Sequence, residues 1–473
     1  MRPPPRDVPG HAARVDAEIA EAVRETQARQ PVQGIDPALI LKVQMSRQLA
    51  EEDWRAAGFQ VLAQEADNIL VLFSSDFELT QFRQRLAQYR GEIPDGQKHP
   101  VHNGLFANIE RIAALGPDDR IGPRMKAEGI QNAAAVDARR RFTVDVEIWD
   151  AATDAERQVR VQNLANFIEE EGGEVLSRYV GKAGLLLLRA KIRGALFRRL
   201  LNVTVVAQID LPPSPDLGEQ NPPDLRIDDM DDPVPPPANA PIIGIIDSGL
   251  SDHPLLAGTI VGRFGIPAAL GDADLWGHGT RVTSIAAFGD VRECVDRRSF
   301  ASPVRIVSAK VVNDQGRFDD AATVPEQMEL AIRELRRRGC RVINISLGDQ
   351  AKIPYDGGRL SPWASTLDMI AAELDVLIIV SAGNPKSGAG APWGDVAEGI
   401  TREYPRYLVL PSNRLIDPAT AACAITVGSL AHGNGLRNDD GDGAEVRALT
   451  QRDDPSPRTR AGPGTANAIK PDL

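Results

Sequence analysis

The chain has 473 residues, more than one typical core accommodates, and its 42% hydrophobic and 25% charged content is ordinary for a folded protein of two or three domains. A net charge of −12 argues against a nucleic-acid binder, which needs a basic face for phosphate contacts. The three scattered cysteines, Cys294, Cys340 and Cys423, imply neither a disulfide framework nor a zinc site, and no run of about eighteen apolar residues marks a membrane span.

The N-terminal Met1-Arg-Pro-Pro-Pro-Arg leads into polar sequence without the apolar core of a signal peptide, so a cytoplasmic location is expected. Residues 1–35 are rich in Pro, Arg and Ala without a clear apolar face, and read as a loose segment or one surface helix. Residues 36–140 form an α+β region: strand 39–43, helix 51–57, strands 59–63 and 69–73, helix 79–89, then Gly- and Pro-punctuated sequence. Residues 141–210 repeat the order, with strand 142–148, helix 157–170, strands 175–180 and 184–188, helix 192–201 and strand 203–209. That βαββαβ pattern is ferredoxin-like, and the two regions could be a tandem pair.

Residues 211–241 hold ten prolines and the acidic set Asp216, Glu219, Asp224, Asp228, Asp229, Asp231 and Asp232. Such a segment is extended and stiff, reads as a linker and offers a place for processing. From 242 to 473, apolar runs at 304–312, 342–347, 376–381 and 422–427 alternate with amphipathic stretches at 325–338 and 363–374. The expected fold is α/β, a doubly wound parallel sheet preceded by one or two small α+β ferredoxin-like units. The arginine clusters 139–141 and 336–338 read as solvated helix ends and loop charges, and Cys340 and Cys423 as small core residues.

Two stretches carry chemistry. The run Ile242-Ile-Gly-Ile-Ile reads as a strand buried on both faces, and Asp247-Ser-Gly249 ends it in a turn, leaving a carboxylate at the strand tip where the crevice of an open α/β sheet lies. Alone, Asp-Ser-Gly also reads as an ordinary turn cap. Asp274-Leu-Trp-Gly-His278-Gly-Thr280 follows, its glycines letting other backbone approach the imidazole at the start of an apolar-periodic helix.

Asp247 followed by His278 in these settings resembles the subtilase family of serine proteases, whose triad runs Asp, His, Ser. Further matches are Leu250-Ser-Asp-His253-Pro-Leu255, Asn344-Ile-Ser346-Leu-Gly348, Ser381-Ala-Gly383-Asn384, and Gly462-Pro463 with Lys470-Pro471-Asp472, so that the resemblance covers residues 241–473. It implies a serine endopeptidase acting on a polypeptide substrate without a required cofactor. His278 would be the base, Asp247 its orienting carboxylate, Asn384 the oxyanion donor, and Ser346, Leu347 and Gly348 the substrate-binding edge, with His253 a packing residue. The region before the linker is similar in order and position to the family's propeptides, which implies an intramolecular inhibitor or folding aid; a recognition domain for a partner is the alternative. Family members often bind calcium, and Asn438-Asp-Asp-Gly-Asp442 is the place to look, although it lacks a full ligand pattern.

The nucleophile is missing from the pattern. Gly-Thr occurs as Gly258-Thr-Ile, Gly279-Thr-Arg and Gly464-Thr-Ala466, none followed by serine. Gly462-Pro463 and Ile469–Leu473 resemble the family segment ahead of the serine, so the sequence is expected to stop short of its nucleophile and to be inert alone. The runner-up is a non-catalytic peptide-binding or regulatory protein on the same scaffold.

Overall fold

A computed structural model describes all residues except 1–3, 30–31, 33–34, 36–37, 48, 152, 219–230, 389, 395–398 and 432–448. Two compact units result, Met1–Pro212 and Pro213–Leu473.

The first unit contains two four-stranded antiparallel sheets. Its first half runs α1 (Val8–Gln27), β1 (Leu39–Met45), α2 (Glu51–Ala56), β2 (Gln60–Glu65), β3 (Ile69–Ser74), α3 (Thr80–Arg90), α4 (Asn103–Phe106) and β4 (Ile109–Ala114). The second half runs α5 (Pro123–Ala127), β5 (Arg141–Ile148), α6 (Asp154–Glu170), β6 (Glu174–Val180), β7 (Leu186–Arg193), α7 (Gly194–Leu200) and β8 (Val206–Asp210). The sheet orders β2-β3-β1-β4 and β6-β7-β5-β8 are the same order twice.

Two differences from the sequence reading have plain causes. The stretch 1–35, read as a loose segment or one surface helix without a clear apolar face, carries a helix whose buried stripe Ala12, Val15, Ile19 and Ala22 packs on the first sheet; half of that stripe is alanine, too small to stand out as an apolar face. Helix α6 starts before residue 157 because Thr153 and Glu156 close a capping box, the Thr153 hydroxyl accepting from the Glu156 amide and the Glu156 carboxylate from the Thr153 amide.

The second unit is built on a six-stranded parallel sheet: β9 (Ile242–Asp247), β10 (Ile260–Gly265), β11 (Arg305–Lys310), β12 (Val342–Ile345), β13 (Leu377–Ser381) and β14 (Ala424–Val427). Its helices are α8 (His278–Phe288), α9 (Val291–Asp296), α10 (Val324–Arg337), α11 (Pro362–Leu374) and α12 (Gly399–Glu403), and two short strands, β15 (Gly462–Pro463) and β16 (Ile469–Lys470), pair antiparallel. Strand order is β10-β11-β9-β12-β13-β14. From β9 the chain runs out to β10, returns through β11 and crosses to β12 on the other side of β9, so the direction of winding reverses beside β9. At that reversal a crevice opens above the strand tips.

Helix α10 seals one face. Val324, Met328, Ala331, Ile332 and Leu335 are fully buried at helical spacing, and the Thr323 hydroxyl caps the first turn by accepting from the Glu326 amide. Gly244 lets this helix close on β9, since a Cβ there would lie 2.8 Å from Leu335 Cδ1. Arg337 and Arg338 pair with Glu334 at the helix end. Cys340 is a core residue, whereas Cys423, read as one, is exposed just ahead of β14.

Residues 213–218, read as part of a stiff linker, are tied into the second unit. Pro215 is buried, and the Leu217 side chain joins the core beside Val311, Phe318 and Leu347.

Candidate active site

Strand β9 lies between β11 and β12, and its last residue, Asp247, is fully buried at the C-terminal tip. One carboxylate oxygen, Oδ1, accepts from the Ser248 amide at 2.7 Å and from His278 Nδ1 at 2.7 Å. The other, Oδ2, is buried without a hydrogen-bond partner among the described residues. Because a carboxylate only accepts, Nδ1 carries the proton, and Nε2 is the basic nitrogen of the neutral ring.

His278 opens helix α8 behind Gly277, which sits at φ +75. Burial disfavours its charged form, but the hydrogen bond and charge of Asp247, helped by Asp274 and opposed by Arg281, outweigh that and raise its pKa above the ordinary value of 6.5.

Asp274 holds this helix start in place. Its Oδ1 accepts from the Ser248 hydroxyl at 2.8 Å and from the Trp276 and Gly277 amides at 3.0 and 2.8 Å, while Oδ2 accepts from the Thr280 amide and hydroxyl at 2.8 and 2.7 Å. The Gly279 amide donates back to the Ser248 hydroxyl at 2.9 Å, closing a ring between the turn after β9 and the first turn of α8. A carboxylate there also suits the positive end of the helix dipole. Sequence reasoning assigned Asp274 no role, although an Asp shortly before a helix start is a cap signal in its own right.

Lys310, the register partner of Asp247 on β11, is buried and donates to the Ala273 carbonyl at 2.7 Å and to Asp314 at 2.8 Å, bracing the loop that carries Asp274.

The remaining predicted residues follow the tips of the next two strands. Ser346 comes directly after β12, and its hydroxyl accepts from the Asn344 amide group at 2.9 Å. Leu347 is fully buried, main chain included, with its side chain in the core. Gly348 is already paired: its carbonyl accepts from the Asp216 amide at 2.8 Å, and the Gln350 amide donates to the Ser214 carbonyl at 2.8 Å, an antiparallel bridge between Pro215 and Asp349. Asn384, three residues beyond β13, is exposed, and its carbonyl accepts from Arg460 Nε at 2.9 Å. Asp247, Ser346 and Asn384 thus follow the tips of three neighbouring strands, β9, β12 and β13. His253 is half-buried, and its Nδ1 accepts from the Leu255 amide at 3.3 Å, capping a turn.

Residues 238–473 match the model of the "Subtilase family". The chain belongs to the subtilase family. Ahead of the subtilase part, residues 9–116 match the "Y4kK N-terminal domain" and residues 119–211 the "Y4kK central domain". The "Uncharacterized protein y4kK" of Sinorhizobium fredii (strain NBRC 101917 / NGR234) is 39% identical over 265 residues, 55% of this subtilase and 83% of the relative. The "Uncharacterized protein y4bN" of the same organism is 48% identical over 151 residues, 32% of this chain and 34% of the relative's own length. Among solved structures, the epidermin leader peptide processing serine protease EpiP from Staphylococcus aureus is 16% identical, covering 62% of this chain and 70% of that one, with a TM-score of 0.37.

Among the described residues no group of three or more His, Cys, Asp or Glu side chains could hold a metal ion, and no helix is long and apolar enough to cross a membrane. The acidic stretch 438–442, where calcium was sought, lies outside the described residues.

Proposed function

We propose that this chain carries the Asp-His part of a Ser-His-Asp peptidase, and that the protein to which it belongs is a serine endopeptidase acting on polypeptides. The observation that supports this most is the 2.7 Å hydrogen bond between His278 Nδ1 and the buried Asp247 at the tip of β9. On this reading a seryl hydroxyl attacks the scissile carbonyl carbon and gives its proton to His278 Nε2. The imidazolium, stabilised by Asp247, then protonates the leaving amine as the C–N bond breaks, and water repeats the sequence on the acyl-enzyme. The Asn384 amide donates to the oxyanion, and the main chain of Ser346, Leu347 and Gly348 binds substrate as an added strand.

None of the Gly-Thr stretches within residues 1–473 carries a serine, so the reading takes the nucleophile from outside these residues and expects no hydrolysis by them alone. The pairing of residues 214–216 along Gly348–Gln350 supports a second part of the reading, in which a segment of the chain's own occupies the substrate edge. The region ahead of that segment then acts as an intramolecular inhibitor.

A fluorophosphonate probe tests the reading on the protein at its natural length. The expected result is one labelled serine, mapped by mass spectrometry, whose labelling is lost in His278→Ala. An unlabelled protein that still binds peptide would instead be a non-catalytic peptide-binding protein on the same scaffold.

A further inference from the structure

The segment on the Gly348–Gln350 edge brings one charged side chain with it. Asp216 Oδ2 lies 2.9 Å from Lys352 Nζ, with only 13% and 18% of the two side chains exposed. Arg460, at the Asn384 carbonyl, is 1% exposed. Its recorded hydrogen bonds go to two neutral acceptors, the Asn384 carbonyl at 2.9 Å and the Arg414 carbonyl at 2.6 Å, and no carboxylate pairs with it among the described residues. Burial pushes the Arg460 guanidinium down to about 10, and the charge that opposes this is Asp216. The nearby buried Asp349 accepts from the Ala351 amide at 3.3 Å within its own loop.

The second unit therefore holds a largely desolvated cation, Lys352, whose counter-ion is provided by the strand lying on the edge. Desolvated charges left without a partner are costly, so a groove built this way discriminates by charge: a neutral side chain at that position strands Lys352, and a basic one repels it. On either side of Asp216 the requirement is apolar, since Pro215 and Leu217 are buried.

We infer that the substrate edge of this protein contains an acid-selective subsite centred on Lys352, which favours peptides with an aspartate between two apolar residues, as in Pro215-Asp216-Leu217. This rests on the reading of Gly348–Gln350 as the peptide-binding edge, and the test separates the two.

The tripeptide Pro-Asp-Leu recurs at residues 223–225 in the same Pro-rich segment, and at 471–473, where Asp472 already pairs with Lys470 at 2.8 Å. The test chain, residues 1–473, therefore carries Asp216→Pro and Asp224→Pro, which remove both carboxylates and, at 216, the amide that donates to the Gly348 carbonyl. Three acetylated, amidated peptides are compared, Ser-Pro-X-Leu-Gly with X as Asp, Asn or Lys. Affinity is read by fluorescence anisotropy, and occupancy of the edge by hydrogen exchange of the Gln350 amide. The Asp peptide is expected to bind about ten-fold more tightly than its Asn isostere, and the Lys peptide to bind weakest. In Lys352→Met the preference for Asp should shrink to about two-fold, and in Lys352→Glu the Lys peptide should overtake the Asp peptide. These variants leave the hydrogen bonds of Arg460 to the Asn384 and Arg414 carbonyls in place. Equal binding of Asp and Asn peptides, with the Gln350 amide protected by both, overturns the acid-selective subsite and leaves the edge standing. Failure of every peptide to protect that amide removes the edge, and the subsite with it.

Discussion

Gly279, one residue past His278, passes so close to Gly249 that a Cβ on it would lie 2.2 Å from the Gly249 carbonyl oxygen and 3.2 Å from Asp247 Cβ. The obstacle is backbone and cannot swing aside. Gly279→Ala is therefore expected to push the start of α8 off the turn after β9, destabilising the second unit by roughly 1–3 kcal/mol in urea unfolding. Because the same shift lengthens the His278–Asp247 bond, the pKa of His278 should fall in step.

His278 itself should titrate above 6.5 in an NMR pH series, and in Asp247→Asn below it, because burial and Arg281 then act with little to oppose them. The sign of the linked stability follows. A pKa raised by folding contributes stability that is complete below 6.5 and is lost as pH rises through the folded value. The stability advantage of the native chain over His278→Gln should thus be larger at about pH 5.5 than at about pH 8.5.

Asp274→Asn exchanges an ionised acceptor of five hydrogen bonds for an amide that cannot accept them all. A loss of about 2–3 kcal/mol of stability is expected, as for a buried charged acceptor, and since Asp274 also favours protonated His278, its pKa should drop. Stability loss with an unmoved His278 titration would reduce Asp274 to a purely structural role.

Arg460→Met keeps volume but leaves the carbonyls of Asn384 and Arg414 without their donor. Asn384 is exposed and Arg414 half-buried, so water replaces part of the lost donor, and chemical denaturation should show a loss of roughly 1–2 kcal/mol. Swapping to Lys should recover only part, because an ammonium cannot span both carbonyls as the fork does.

Asn384→Ala removes an exposed amide with no recorded side-chain partner among the described residues, so stability should hardly change. In the protein at its natural length, kcat should fall by about 10²–10³ with KM nearly constant, as when a related subtilase loses its oxyanion donor. An unchanged kcat would remove Asn384 from the oxyanion role.

What could be read in the sequence and what could not divides by chain distance. Asp247 and His278 sit in short stretches whose glycines and strand or helix periods announce them locally. The paired α+β units were visible for the same reason, through repeated alternation. Strand β10 went unread because Gly262 and Gly265 interrupt Ile260–Gly265, and the buried face of α1 because alanines make up half its stripe. Asp216 and Lys352 are far apart in sequence and meet only through the loop beyond the β12 tip, a juxtaposition no local pattern encodes.

The strand on the Gly348–Gln350 edge belongs to the same polypeptide as the edge, and that changes what an affinity measured on the unaltered chain means. A tethered ligand competes at an effective concentration in roughly the millimolar range, set by its connection and not by what is added to the tube. Free peptides will therefore look weak against the intact chain even where the groove grips them well, and their apparent dissociation constants will measure the tether as much as the contacts. Cutting that connection would strengthen binding of outside peptides without altering a single residue that touches them.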